Sequence, residues 1–165
     1  MAPLIVLVAV TLAVRAAGAA GVPRLRSWPV ALRAGLAAMF TLTGVSHFVG
    51  MREELISMVP PVLPEPGLLV TVTGALELAG AVGLLLPRTV AWAAGGLSAL
   101  LVVMFPANVY AAVSGAALEG AQTMGLFPRT LVQVVFLAAT IAVLRTYVSR
   151  RRAASRTVAA RPAVP

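Results

Sequence analysis

Five apolar stretches, at residues 3–20, 28–50, 67–86, 90–113 and 127–148, each have the length of a helix that crosses the roughly 30 Å hydrocarbon core of a bilayer. Lipid offers the backbone no hydrogen-bond partner, so a stretch of this kind satisfies its own amides as an α-helix. The alternating polar and apolar pattern of a membrane β-barrel is absent. The fold expected is therefore all-α, a polytopic transmembrane bundle of about five helices over residues 1–149. Composition agrees: 60% of the residues are hydrophobic and 11% charged, with a mean hydropathy of +0.97, where a soluble domain carries roughly 25% charge.

The connections carry breakers where the apolar stretches stop: Gly21 and Pro23, then Pro60, Pro61, Pro64 and Pro66, then Pro87, then Gly120 and Pro128. Residues 150–165 mix Arg, Ala, Ser and Pro, which suits a disordered basic tail lying near anionic headgroups.

All 13 basic residues are Arg and all five acids are Glu. Eleven arginines fall on one side of the expected membrane: Arg15, Arg24, Arg26 and Arg33, Arg88, and Arg145, Arg150, Arg151, Arg152, Arg156 and Arg161. Arg52 and Arg129 fall on the other, together with Glu53, Glu54, Glu65 and Glu119. The positive-inside rule then places the N-terminus outside and the C-terminus in the cytoplasm of a bacterial cytoplasmic membrane. A cleaved signal peptide competes for the first stretch. It lacks a basic leading region, however, and its removal would leave the Arg-rich first connection outside, so a retained anchor is expected. A net charge of +8 does not point to nucleic acid, because the arginines gather only between or after apolar stretches. With no cysteine, the chain cannot form disulfides, ligate iron–sulfur clusters or exchange thiols.

A few polar residues interrupt the apolar spans. Glu77 sits near the middle of the third, where an ionised side chain is disfavoured by roughly 2.5–3.5 kcal/mol, so it should face the bundle interior or be protonated. Thr73, Gly74, Gly80 and Ala81 share its helical face, small neighbours that admit another helix. Such a carboxyl either exchanges a proton or binds a polar ligand, or it only locks packing through hydrogen bonds.

His47, the single histidine, ends the second span with Thr43, Gly44 and Gly50 on its face. One histidine without cysteine is a poor metal site, and none is expected; capping or packing competes with an acid–base or quinone-oxygen role. Pro106 deletes a backbone donor in the fourth span beside Asn108, and Arg129, Thr130, Gln133 and Thr140 line one face of the fifth. At 1.5 Å per residue His47, Asn108 and Gln133 lie roughly 4–10 Å below the outer boundary and Glu77 roughly 15 Å down. A polar pocket of His47, Glu77, Asn108 and Gln133 opening outward is the expected site.

The stretch 33–112 resembles the DoxX family of small bacterial membrane proteins. The likeness rests on an ordered set: GVSHF at 44–48, MVPPVLP at 58–64, GALELAG at 74–80, GLLLP at 83–87 and FPAN at 105–108. The resemblance implies a four-helix core, supplied by the second to fifth spans, with the first span and the Arg-rich tail as departures. It also implies motif positions at Gly44, His47, Pro61, Pro64, Gly74, Glu77, Pro106 and Asn108. Some relatives are linked with quinone-reducing sulfur oxidation or membrane oxidoreductase assemblies. The expectation is thus a redox-associated or quinone-interacting membrane subunit without independent catalysis. Its expected partners are the lipid bilayer, other membrane oxidoreductase subunits and a second copy of itself. The alternatives are a small proton-coupled transporter and a scaffold that binds lipid or partner helices through its Gly-rich faces.

Overall fold

The computed structural model describes residues 1–114 and 125–159; Glu119 and Gly120 of the fourth connection, and Arg161 with the rest of 160–165, lie outside them. Five helices are long and apolar enough to cross a membrane. They are α1 (Ala2–Ala19), α2 (Trp28–Ser46), α4 (Pro66–Leu85), α5 (Val90–Ser114) and α6 (Leu126–Ala159), with a short helix α3 (Arg52–Ser57) between α2 and α4. A proline stands in the first turn of α1, α2 and α4, where its missing N–H has no partner to lose and its fixed φ already suits a helix.

Each long helix packs mainly on its neighbour in sequence: α1 on α2, α2 on α4, α4 on α5, α5 on α6. The contact of α2 with α6 closes α2, α4, α5 and α6 into a ring, and α1 lies against α2 outside it. Leu36, Phe40, Leu84, Leu97 and Val143 fill the centre. Many large apolar side chains face outward instead, Trp92 at 78% and Val103 at 72% exposure among them. Facing water they would form a patch far beyond what a soluble monomer tolerates; facing acyl chains they are at home. With hydrocarbon outside, no hydrophobic force draws the helices together, so close approach and hydrogen bonds must do it. At the α1–α2 crossing a Cβ on Gly35 would overlap the Thr11 hydroxyl, and Thr11 itself turns back onto the Leu7 carbonyl at 2.6 Å.

Three features depart from the sequence reading. The second span ends at Ser46 rather than residue 50, because Gly50 takes a φ of 80°, which only glycine enters freely, and turns the chain into α3. Helix α3 itself is too short and polar to register as a span. Most markedly, the expected disordered tail is helical as far as Ala159. Arg and Ala are strong helix formers, and no Gly or Pro interrupts 150–159. Helix α6 is thus 34 residues, about 51 Å, well beyond the bilayer core.

Candidate functional site

The α2–α4 crossing is built on two glycines. A Cβ on Gly44 would lie 2.8 Å from Leu78 Cγ, and one on Gly74 would overlap His47 Cβ. The absence of both side chains lets α4 approach closely enough for α2 to reach its carboxylate. Thr43 Oγ1 donates to Glu77 Oε2 at 2.5 Å. His47 lies 3% exposed and Glu77 4% exposed, so both are inside the protein rather than facing lipid. The His47 ring nitrogen Nδ1 lies 2.9 Å from the Thr43 carbonyl oxygen. A carbonyl only accepts, so Nδ1 carries the hydrogen, and Nε2 is the ring atom left to accept when neutral or donate when charged. Thr43 therefore joins the two titratable groups, holding the carboxyl through its hydroxyl and the imidazole through its carbonyl.

A second polar group locks α5 to α6. Asn108 Nδ2 donates to Gln133 Oε1 at 3.2 Å, and Gln133 Nε2 donates to the Leu101 carbonyl at 2.6 Å, which uses both ends of the glutamine amide. That carbonyl neighbours the one at Val102, whose helical donor Pro106 removes. Helix α5 runs from Val90 to Ser114 through Pro106. Deeper in the bundle, Ser98 Oγ lies 3.0 Å from Thr140 Oγ1.

Between these groups, at the arginine-poor end, lies a cavity of about 150 Å³. His47, Thr73 and Asn108 contribute its polar walls, and Met58, Leu63, Val70 and Met104 are among its apolar ones. Helix α3 and the proline loop cover it. Pro61 and Pro64 are exposed in that loop and line nothing; Pro61 instead occupies the second position of a turn closed by Leu63 N–H on the Pro60 carbonyl at 3.0 Å. Arg52 fastens the cover: its guanidinium donates to the His47 carbonyl at 3.1 Å, the Gly67 carbonyl at 3.2 Å and Thr71 Oγ1 at 3.0 Å. Arg129 reaches Met58 Sδ at 3.8 Å, and its Nε is buried with no hydrogen-bond partner.

Of the four residues read as one pocket, His47 and Asn108 share a cavity. Glu77 stands behind His47 across Thr43, and Gln133 stands behind Asn108. Sequence reasoning placed Thr43 only as a neighbour on the histidine face and gave Arg52 no role. The signal for Thr43 was its spacing of four residues from His47; Arg52 left none, since two of its three partners lie 15 and 19 residues away and the third is a backbone carbonyl. Among the described residues no three His, Cys, Asp or Glu side chains come together in the manner of a metal centre.

The family model of a domain of unknown function, DUF8561, matches residues 36–144, about two thirds of the chain, and the protein belongs to that family. No curated protein and no solved structure matches it.

Proposed function

We propose that this protein is an integral subunit of a bacterial cytoplasmic-membrane oxidoreductase system, and that it holds a quinone-type ring without turning it over alone. The observation that carries this reading is that one small apolar cavity brings His47 and Asn108 to its wall. A cavity of about 150 Å³ has the size that admits a single six-membered ring. The imidazole and the amide each offer what a ring oxygen needs, acceptance from a hydroxyl or donation to a carbonyl. Oxidation of a quinol to a quinone releases two electrons and two protons. On this reading His47 takes one proton at Nε2, and a partner subunit takes the second proton and both electrons, because a chain without cysteine offers no thiol or iron–sulfur carrier. The resemblance to the DoxX family supports the same assignment. The arginine bias supports an external N-terminus and a cytoplasmic C-terminus, which puts the cavity at the outer face.

The test is purification in mild detergent, extraction and identification of bound quinone, and titration with a short-chain ubiquinone or menaquinone. His47→Ala and Asn108→Leu should each weaken binding by about tenfold, the loss of one hydrogen bond in a dry site. A protein that never carries or binds quinone, and that isolates with no redox partner, refutes the reading. A second reading, a proton-coupled carrier, is favoured by the burial of Glu77, held by Thr43, within the span. It is separated by liposome flux measured with and without a pH gradient.

A further inference from the structure

The arginine-rich end of the bundle is held together around one aromatic ring. Arg33 of α2 and Arg150 of α6 both bring their guanidinium carbon to 5.6 Å from the centre of the Tyr147 ring. The two positive charges are therefore no more than about 11 Å apart, although their residues lie on different helices. The ring's negative face attracts each cation but neutralises neither. Among the described residues this end has no carboxylate: Glu53, Glu54 and Glu65 lie at the opposite end and Glu77 lies within α4. Arg15, stacked 4.7 Å from the Trp28 ring, and Arg151, which donates to the Arg88 carbonyl, add to the same surface. Trp and Tyr at the ends of spans mark the headgroup level of a bilayer. Like charges gathered there without a protein counter-ion call for an anion from the membrane itself.

We propose that Arg33, Tyr147 and Arg150 form a site for the headgroup phosphate of an acidic phospholipid. Two guanidinium groups on separate helices offer the paired donors that a phosphodiester accepts, and the half-buried Tyr147 holds them in place. A second set is distinct. Arg145, Arg152 and Arg156 are exposed and share the α6 face turned away from the buried Phe136, Thr140 and Val143. They meet the leaflet only as a diffuse charge. The inference does not depend on a quinone in the cavity, which lies at the other end.

The test is native mass spectrometry of the full chain released from non-ionic detergent. It is titrated with phosphatidylglycerol and, separately, with phosphatidylcholine of the same acyl chains. Phosphatidylglycerol should bind at least about tenfold tighter. Each arginine near an anionic headgroup contributes about fivefold, so R33Q/R150Q should lose about 30-fold. R145Q/R156Q should lose much less. If R33Q/R150Q is not recovered folded, R150Q alone, at an exposed position, should lose about fivefold. Equal losses in the two double variants, or equal binding of the two lipids, would overturn the site. Displacement of bound lipid by millimolar inorganic phosphate would overturn the assignment to lipid, and indifference to lipid charge would instead leave the surface to an acidic partner protein.

Discussion

The Thr43–Glu77 hydrogen bond joins two helices inside the membrane, and its contribution can be isolated with two near-isosteric substitutions. Thr43→Val replaces one hydroxyl by a methyl and removes the donor. Interhelical hydrogen bonds in membranes contribute about 0.6 kcal/mol on average and about 1.7 at most. At 2.5 Å to a carboxylate oxygen, this one belongs at the upper end, so Thr43→Val should destabilise the fold by about 1.5 kcal/mol. Glu77→Leu acts in both directions. It loses the same bond but also removes a polar group that hydrocarbon disfavours by roughly 2.5–3.5 kcal/mol when charged. The Glu77→Leu variant should therefore be at least as stable as the parent. Once Glu77 is gone, Thr43→Val should change little. The coupling in the double-mutant cycle, read from reversible unfolding in mixed micelles by circular dichroism, is expected at about 1–2 kcal/mol. A coupling below about 0.3 kcal/mol, the level at which independent sites add, would refute the claim that this contact joins the helices. A stability gain accompanied by loss of ring binding would mark Glu77 as retained for chemistry rather than for packing.

Gly74→Ala places a methyl into His47 Cβ and should destabilise by about 1–3 kcal/mol, seen as a lower melting temperature, while Gly96→Ala, whose Cβ meets nothing within 4 Å, should not destabilise. Arg52→Ala releases three acceptors that tie the end of α2 to the start of α4, so maleimide should label a Met58→Cys probe about tenfold faster or more in the variant. Gln133→Leu frees the Asn108 amide from the partner that orients it. It should weaken ring binding by severalfold, less than Asn108→Leu does. A fluorescent protein fused after Pro165 should fold and glow, while the same fusion before Met1 should stay dark; the reverse pattern would overturn the proposed orientation.

The spans were legible because hydrocarbon sets a length: about twenty apolar residues mean one crossing whatever the helix touches. Glu77 was legible for the same reason, a lone carboxylate that lipid would not accept outside the bundle. The rotation of each helix about its axis was not. In a soluble bundle the polar face points to water, but here the faces toward lipid and toward neighbours are both apolar, so nothing in α4 announced that Glu77 would meet Thr43 in particular. Residues 150–159 are helical where disorder was expected, for a different reason. Loss of apolar character at Arg150 was equated with loss of helix, although Arg and Ala favour helix in water. The Arg33–Tyr147–Arg150 cluster joins residues more than a hundred positions apart and exists only once α2 and α6 are paired.

The polar contacts also divide the bundle unequally. Hydrogen bonds between side chains, or from side chain to backbone, tie α2 to α4 through Thr43 and Glu77, and α5 to α6 through Ser98, Asn108 and Gln133. Apart from Thr89, which donates to the Gly83 carbonyl at 2.8 Å at the entry to α5, helix α4 meets α5 through apolar groups, Leu97 seated on Gly80 and Ala93 on Gly83. In hydrocarbon such a seam competes with acyl chains of equal apolarity, so it yields before the hydrogen-bonded pairs do. Two hollows lie along it. The cavity holds Thr73 of α4 and Val103 of α5; an apolar groove of about 440 Å³ begins one turn further along each helix, at Leu76 and Leu100. A ligand whose ring occupies the cavity and whose apolar chain follows the seam would meet no polar barrier on the way to the bilayer. The same division would let α2–α4 and α5–α6 part slightly to admit it while each pair keeps its proton-bearing or amide group in place, so entry and chemistry would draw on different parts of one small fold.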